Sequence, residues 1–191
     1  QKPPLKWIKT YTESDKIPFG SNAIKRIMEN EAFSGRFSSK NIPVLNNPLM
    51  AKAKNVSYFF LTDRIYFDQY ENKKLIDFVK RGNKLFLCGN YFHGALGDTF
   101  HLNTSTGNTP DLSFLQNVKP DSLIEPQYKI HYLNPYLKSD SNYVYDDLMS
   151  FSSFTSFDST KMAVVATDDC GKAVMLRTKI GKGEIILLSL P

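Results

Sequence analysis

The sequence predicts a single α/β domain over residues 1–191, with a central, mostly parallel sheet and an antiparallel extension at the C-terminal end. Three observations carry that expectation. Residues 56–88 read as strand, helix, strand, a unit that is right-handed with parallel strands. Residues 161–190 read as strands joined by short glycine-bearing turns, the mark of an antiparallel pairing. Hydrophobic residues make up 41% and charged residues 23% of 191, enough for one buried core and against long disordered tracts.

Trp7 to Tyr11 alternates large apolar with polar residues and predicts a first strand. The turn Ile17-Pro18-Phe19-Gly20 leads to Ser21, a good N-cap, after which Ile24, Ile27 and Met28 share one helical face. That helix ends before Gly35. Ile42 to Leu45 predicts a short strand, and 48–54 a helical turn. Val56 to Thr62 is nearly apolar throughout, which suits a strand covered on both faces.

The next helix has the clearest local signals. Asp68 can cap it while Glu71 supplies the return half of a capping box. Leu75, Ile76 and Val79 form its buried stripe. Lys80 and Arg81 complement the negative end of the helix dipole, and Gly82 provides the left-handed stop. Lys84 to Cys88 then returns as a strand.

From Asn90 to Pro126 the text is polar and rich in Gly, Asn and Thr, which predicts a loop holding at most a short helix at Asp111 to Gln116. Tyr128 to Tyr132 and Tyr143 to Tyr145 predict short strands, and 150–157 an irregular stretch. Lys161 to Thr167 and Ala173 to Lys179 flank the turn Asp168-Asp169-Cys170-Gly171-Lys172 as a hairpin. Gly181-Lys182-Gly183 then turns the chain into Glu184 to Leu190, whose apolar run predicts an inner strand.

The net charge of +5 is uneven, since residues 1–100 hold 16 Lys+Arg against 9 Asp+Glu. These cations stand singly or in pairs such as Lys73-Lys74 and Lys80-Arg81, as on solvated helix faces, and no nucleic-acid partner is expected. Cys88 and Cys170 are too few for a zinc site, and a single bridge or two free thiols both remain open. No apolar run approaches the roughly 18–20 residues that span a bilayer. The chain opens on Gln1-Lys2-Pro3-Pro4, as expected if a signal or anchor segment preceded it.

Three stretches share a further property. Pro18-Phe19-Gly20-Ser21 before a helix, the run from Phe78-Val79-Lys80-Arg81-Gly82 through Asn83-Lys84-Leu85-Phe86-Leu87, and Gly181-Lys182-Gly183-Glu184 leading to Ser189-Leu190-Pro191 resemble the bacterial domain of unknown function 4350. The resemblance runs in order along nearly the whole chain. It implies a flavodoxin-like, three-layer fold of the class I glutamine amidotransferase type. It also implies an extracytoplasmic domain, often in Bacteroidetes, held at the cytoplasmic membrane by helices absent from this chain. The expected partner is then another protein of the cell envelope.

Amidotransferase-like enzymes place a nucleophilic Cys on a sharp turn after a strand, paired with a His two residues before a Glu. Cys88 stands near that place, followed by Gly89-Asn90, but Phe86 occupies the position of the expected glycine. His93, His101 and His131 are followed two places on by Ala95, Asn103 and Leu133, so none has the acid. A thiol without a positioned base is a poor nucleophile, although His93 could approach Cys88 in space. No catalytic residue, metal or cofactor is therefore expected.

The carboxyl ends of parallel strands offer the better candidate site. That rim gathers Phe19, Gly20 and Ser21, then Asp63 and Arg64, then Cys88, Gly89, Asn90, Tyr91 and His93. Free amides at the Ser21 helix start and the Arg64 guanidinium favour a small anionic ligand, while ordinary turns and a capping Ser are the plainer reading. The aromatics of 128–157 serve equally as core or as a partner surface. The expected function is a non-catalytic binding or adaptor domain; the alternative is a small-molecule-binding or cysteine-dependent hydrolase relative of the amidotransferase fold.

Overall fold

In the computed structural model, residues 10–16, 20–32, 36–39, 42–106, 127–134, 143–146 and 152–189 are described. The helical elements and strands of the first half are α1 (Asn22–Ile27) continued by a π-type turn (Met28–Ala32), a 3-10 turn (Val44–Asn46), α2 (Leu49–Lys52), β1 (Ser57–Leu61), β2 (Arg64–Phe67), α3 (Gln69–Lys80), β3 (Lys84–Cys88), β4 (Tyr91–His93) and α4 (Gly94–Phe100). There follow β5 (Asn103–Thr106), β6 (Gln127–Tyr132), β7 (Tyr143–Asp146), β8 (Ser152–Ser156), β9 (Ala163–Thr167), β10 (Ala173–Ile180) and β11 (Gly183–Leu188).

The βαβ unit forms as its signals predict. Asp68 Oδ1 accepts from the Glu71 N–H at 2.8 Å, and Glu71 Oε2 accepts from the Asp68 N–H at 3.3 Å, closing the capping box. Gly82 takes the chain out of α3 at φ 103°, a conformation that favours glycine. The next strand, β3, then lies parallel to β1, from Ser57 opposite Lys84 to Leu61 opposite Cys88. On the other side β3 pairs in parallel with β11, which enters between β3 and β10.

The sheet is therefore mixed. β1, β3 and β11 form its parallel block, and β10, β9, β6 and β7 continue it with antiparallel pairings. β8 pairs with β10 and carries β5, both antiparallel. Apart from this sheet, β2 and β4 make a two-stranded parallel ribbon.

The core lies where α3 covers the sheet. Leu75, Phe78 and Val79 meet Leu85, Leu87, Leu176, Ile185 and Leu187, all fully buried. Each such side chain contributes about 1.5–3 kcal/mol relative to exposure, so this face dominates the folding energy. Asn83 is buried beneath it and donates to the carbonyls of Ala53 and Phe78, both at 2.8 Å, while its Oδ1 accepts from Val56 N–H at 2.9 Å. It thereby satisfies the backbone of two neighbouring segments at once.

Residues alternate across a strand, so the other face of the parallel block is read from the register. Ser57, Lys84, Glu184 and Lys179 stand side by side in one row, and Phe59, Phe86, Ile186 and Arg177 in the next. Phe59 is 41% exposed, and Phe86 and Ile186 are half-buried. The segment around β1 is thus not covered on both faces; it is an edge strand with one face packed.

Several other expectations are corrected, and two fall wholly or mostly outside the described residues. Residues 7–9 lie outside the described residues, and Tyr11 is not extended but left-handed, at φ 50°. The helix α1 forms, yet Ile24 and Ile27 are 50% and 51% exposed, so its apolar stripe finds no core. Ile42 to Leu45 is not a strand, because Pro43 starts a 3-10 turn that buries Val44. The supposed loop after Asn90 begins with β4, α4 and β5. Within α4, Gly97 is the close-approach point where a Cβ would stand 3.0 Å from the Phe92 carbonyl. The stretch 111–116 lies outside the described residues. The serine-rich 150–157 contains β8, in which Ser152 and Ser153 are buried and the Ser152 hydroxyl is bonded to the Ser189 carbonyl.

Candidate functional site

At the carboxyl ends of β1, β3 and β11 the backbone closes on itself. Thr62 N–H donates to the Cys88 carbonyl, and Gly89 N–H to that of Leu188, both at 3.0 Å. The Asn90 and Tyr91 N–H groups donate to the Asp63 carbonyl at 2.9 and 3.1 Å. Gly89 is required here, because a Cβ would stand 2.7 Å from the Thr62 carbonyl oxygen and 2.9 Å from Ile65 Cγ1.

Side chains then fill the crevice. Asn90 Nδ2 donates to Asp63 Oδ1 at 2.7 Å. Ser152 Oγ lies 2.5 Å from the Ser189 carbonyl and 3.2 Å from Asn90 Oδ1, its single proton shared between them. Ser189 Oγ in turn donates to the Ser152 carbonyl at 2.7 Å. Asn90, Ser152 and Ser189 are buried, so this chain of polar groups is satisfied from within the protein.

Cys88 is buried at the same level, and burial pushes its thiol up to about 12. At neutral pH it is a protonated thiol. Tyr11 reaches this place from the N-terminal side. Burial first, then the charge of Asp63 and, once the thiol ionises at high pH, that of Cys88, hold its phenol above the ordinary tyrosine range. The Tyr11 carbonyl accepts from Ser21 Oγ at 2.9 Å, and the Thr12 carbonyl from Ser21 N–H at 3.1 Å.

Ser21 therefore anchors the preceding segment and does not cap α1, which has no side-chain cap. With only six residues, α1 offers a weak dipole for an anion. Gly20 packs on the Asp15 backbone, where a Cβ would lie 2.0 Å from its carbonyl oxygen. Phe19 is outside the described residues.

The remaining candidates gather on the solvent side of the ribbon. Arg64 stands opposite Tyr91 and Tyr66 opposite His93, so alternation puts all four on one face, while Ile65, Phe67 and Phe92 enter the core from the other. The Arg64 guanidinium carbon is 5.6 Å from the Tyr91 ring centroid, and Arg64 Nε is 3.9 Å from Asp63 Oδ2. His93 stacks on Tyr91 with centroids 6.0 Å apart and planes 11° apart. His93 is exposed, whereas Cys88 is buried.

The structure thus divides the predicted rim into a buried interior, holding Cys88, Gly89 and Asn90, and an open ledge of Arg64, Tyr91 and His93, with the half-buried Asp63 between them. It adds Tyr66 to the ledge and Tyr11, Ser152 and Ser189 to the interior. The alternation Arg64-Ile65-Tyr66-Phe67 is a local signal for Tyr66; no local signal marks the two serines. Neither Cys88 nor Cys170 is paired in a disulfide, and Cys170 is exposed. Among the described residues no three His, Cys, Asp or Glu side chains gather as metal ligands, and no helix is long and apolar enough to cross a membrane.

No family model and no curated protein matches the chain. Among solved structures, a β-galactosidase from Bacillus circulans sp. alkalophilus is similar over 72% of this chain and 20% of its own, with 14% identity and a TM-score of 0.43. A β-galactosidase from Rahnella sp. R3 aligns with 13% identity over 72% of this chain and 20% of that one, at a TM-score of 0.45. An exo-β-1,4-mannosidase from Opitutaceae bacterium strain TAV5 gives 12% identity over 68% of this chain and 20% of that one, at 0.41. The chain spans about one fifth of the length of each.

Proposed function

We propose that this chain is a non-catalytic binding or adaptor domain that presents the β2/β4 ledge to a protein partner. One observation carries the reading. The crevice in which an amidotransferase-like enzyme would work is filled by the Asp63–Asn90–Ser152–Ser189 network. The nearby Cys88 is buried and protonated, which leaves no activated nucleophile there. The ledge is the opposite case: an exposed cation and aromatic rings, the residue types that dominate interface hot spots.

The resemblance to the domain of unknown function 4350 supports the wider setting. In this reading the fold is flavodoxin-like and the domain sits on the extracytoplasmic side of a bacterial cytoplasmic membrane, tethered by helices outside this chain. Its partner is another protein of the cell envelope.

A photo-crosslinking residue at Tyr66 in the full membrane-anchored protein tests the reading. A single protein adduct whose yield falls when Arg64→Ala or Tyr91→Ala is added is the expected result. Amide or ester hydrolysis abolished by Cys88→Ser would overturn it. A small anionic ligand is the second reading, favoured by the Arg64 side chain, which is 77% exposed beside the rim. Anionic metabolites would then raise the melting temperature of the parent more than that of Arg64→Ala.

A further inference from the structure

The strongest unassigned surface is the part of the open face of the parallel block that lies away from the rim, since at the rim end the same face is closed and Cys88 on it is buried. Its two rows differ in chemistry. Phe59, Phe86 and Ile186 form an apolar strip across β1, β3 and β11, and none of the three joins the core packed by α3. Phe59 and Phe86 lie against each other with ring centroids 5.4 Å apart.

Beside the strip is a shallow cavity of about 350 Å³ at the amino ends of β3 and β11, lined by Lys84, Arg177, Lys179 and Lys182 around Glu184. Glu184 binds Lys84 at 2.9 Å and Arg177 at 2.6 Å, which holds its carboxyl below the usual range. Among the described residues Lys179 and Lys182 make no ion pair, so the cavity keeps a surplus of positive charge.

Parallel strands are normally covered on both faces, and the usual cover is a helix. The dimensions agree, since three strands at about 4.8 Å spacing make a strip about 10 Å wide, the diameter of one helix. A helix running antiparallel to β3 and β11 would bring its C-terminal end, the negative end of its dipole, over the four cations. Acidic side chains in its last turn would find Lys179 and Lys182 unengaged. A second copy of this chain fits less well, because two surfaces of a chain carrying +5 would repel at the cavity. A flat lipid surface also fits less well, because the strip lies within strand rows and Phe59, its most open residue, is only 41% exposed.

We propose that this face is a docking groove for an acidic-ended amphipathic helix of a partner protein, laid antiparallel to β3 and β11 with its C-terminal turn in the Lys84–Lys182 cavity. It is a second surface, separate from the ledge.

The test uses a synthetic peptide of about four turns with Leu at i, i+3, i+4 and i+7 and Glu residues in its last turn. A control peptide of identical composition carries the Glu residues in its first turn. Fluorescence anisotropy against the full chain should show the first peptide binding about tenfold more tightly than the control. Phe59→Ser and the pair Lys179→Glu with Lys182→Glu should each weaken it about tenfold, with circular dichroism and melting temperature confirming that both variants fold. Failure to bind, equal affinity for both peptides, or indifference to these substitutions would overturn the proposal. So would self-association abolished by Phe59→Ser, or co-sedimentation with phosphatidylglycerol vesicles, in place of peptide binding.

Discussion

The Asn90 side-chain amide donates to the Asp63 carboxylate at 2.7 Å and ties the turn after β3 to the turn after β1. Because Asn90 also faces Ser152 Oγ at 3.2 Å, one buried side chain joins the parallel block to β8. The rim is consequently held by specific polar pairing, and substitutions there should read out as stability before they read out as binding.

Asn90→Asp should show this most directly. A second carboxylate would sit against Asp63 in a buried place, and like charges raise the pKa of the pair. A folded pKa raised above the unfolded value gives stability at low pH that is lost as pH rises. The variant should therefore be destabilised by about 2–4 kcal/mol at pH 7, and the deficit should shrink as the solution is acidified. Asn90→Ala should lack that recovery. Urea melts of both variants across this range provide the measurement.

Asn83→Ala should be among the most damaging single substitutions. It removes the partners of the Ala53 and Phe78 carbonyls and of the Val56 N–H in a fully buried place. A loss of about 2–3 kcal/mol is expected, visible as a lower urea midpoint with an unchanged m-value.

The two thiols should differ in reactivity. A colorimetric disulfide reagent should titrate one thiol, Cys170, in the folded protein, and Cys88 only after unfolding. Raising the pH to the ordinary cysteine range should not release Cys88, because its pKa of about 12 keeps it protonated. Cys88→Ser should leave a cell-based complementation assay unchanged. Fast labelling of both thiols would contradict the buried site.

Acid stability should depend on Asp158. The Lys161 ammonium first, then the Thr160 hydroxyl, hold its carboxyl down to about 2. With the folded pKa depressed, its contribution is present above the ordinary aspartate range and is lost as pH falls toward about 2. Asp158→Asn should flatten the acid limb of a stability profile relative to the parent, as measured by thermal melts.

What the sequence made legible was local. Asp68, Glu71, the apolar stripe and Gly82 all sit within one helix, so α3 and its flanking parallel strands could be read directly. The C-terminal hairpins announced themselves through Gly171 and Gly181, both at positive φ. Features set by distant contacts stayed hidden. Ser152 looks like surface text until Ser189 and Asn90 are beside it, and Ser21 looks like a helix cap until the Tyr11 carbonyl is in reach. The same limit applies at the rim. Strand ends placed Asp63, Arg64, Asn90 and Tyr91 near one another, but which side chains face inward followed from the unpredicted ribbon of β2 and β4.

The insertion of β11 between β3 and β10 has a temporal consequence. Lys84 opposite Glu184 closes a loop of about 100 residues, so on the ribosome β3 is synthesised long before its inner neighbour exists. Until β11 arrives, one edge of β3 stands unpaired beside apolar Leu85 and Leu87, which places the nascent chain at its greatest risk of misassociation in that interval. Such a high-contact-order closure also makes folding slow, and the late strand is the one that joins the parallel block to the antiparallel strands.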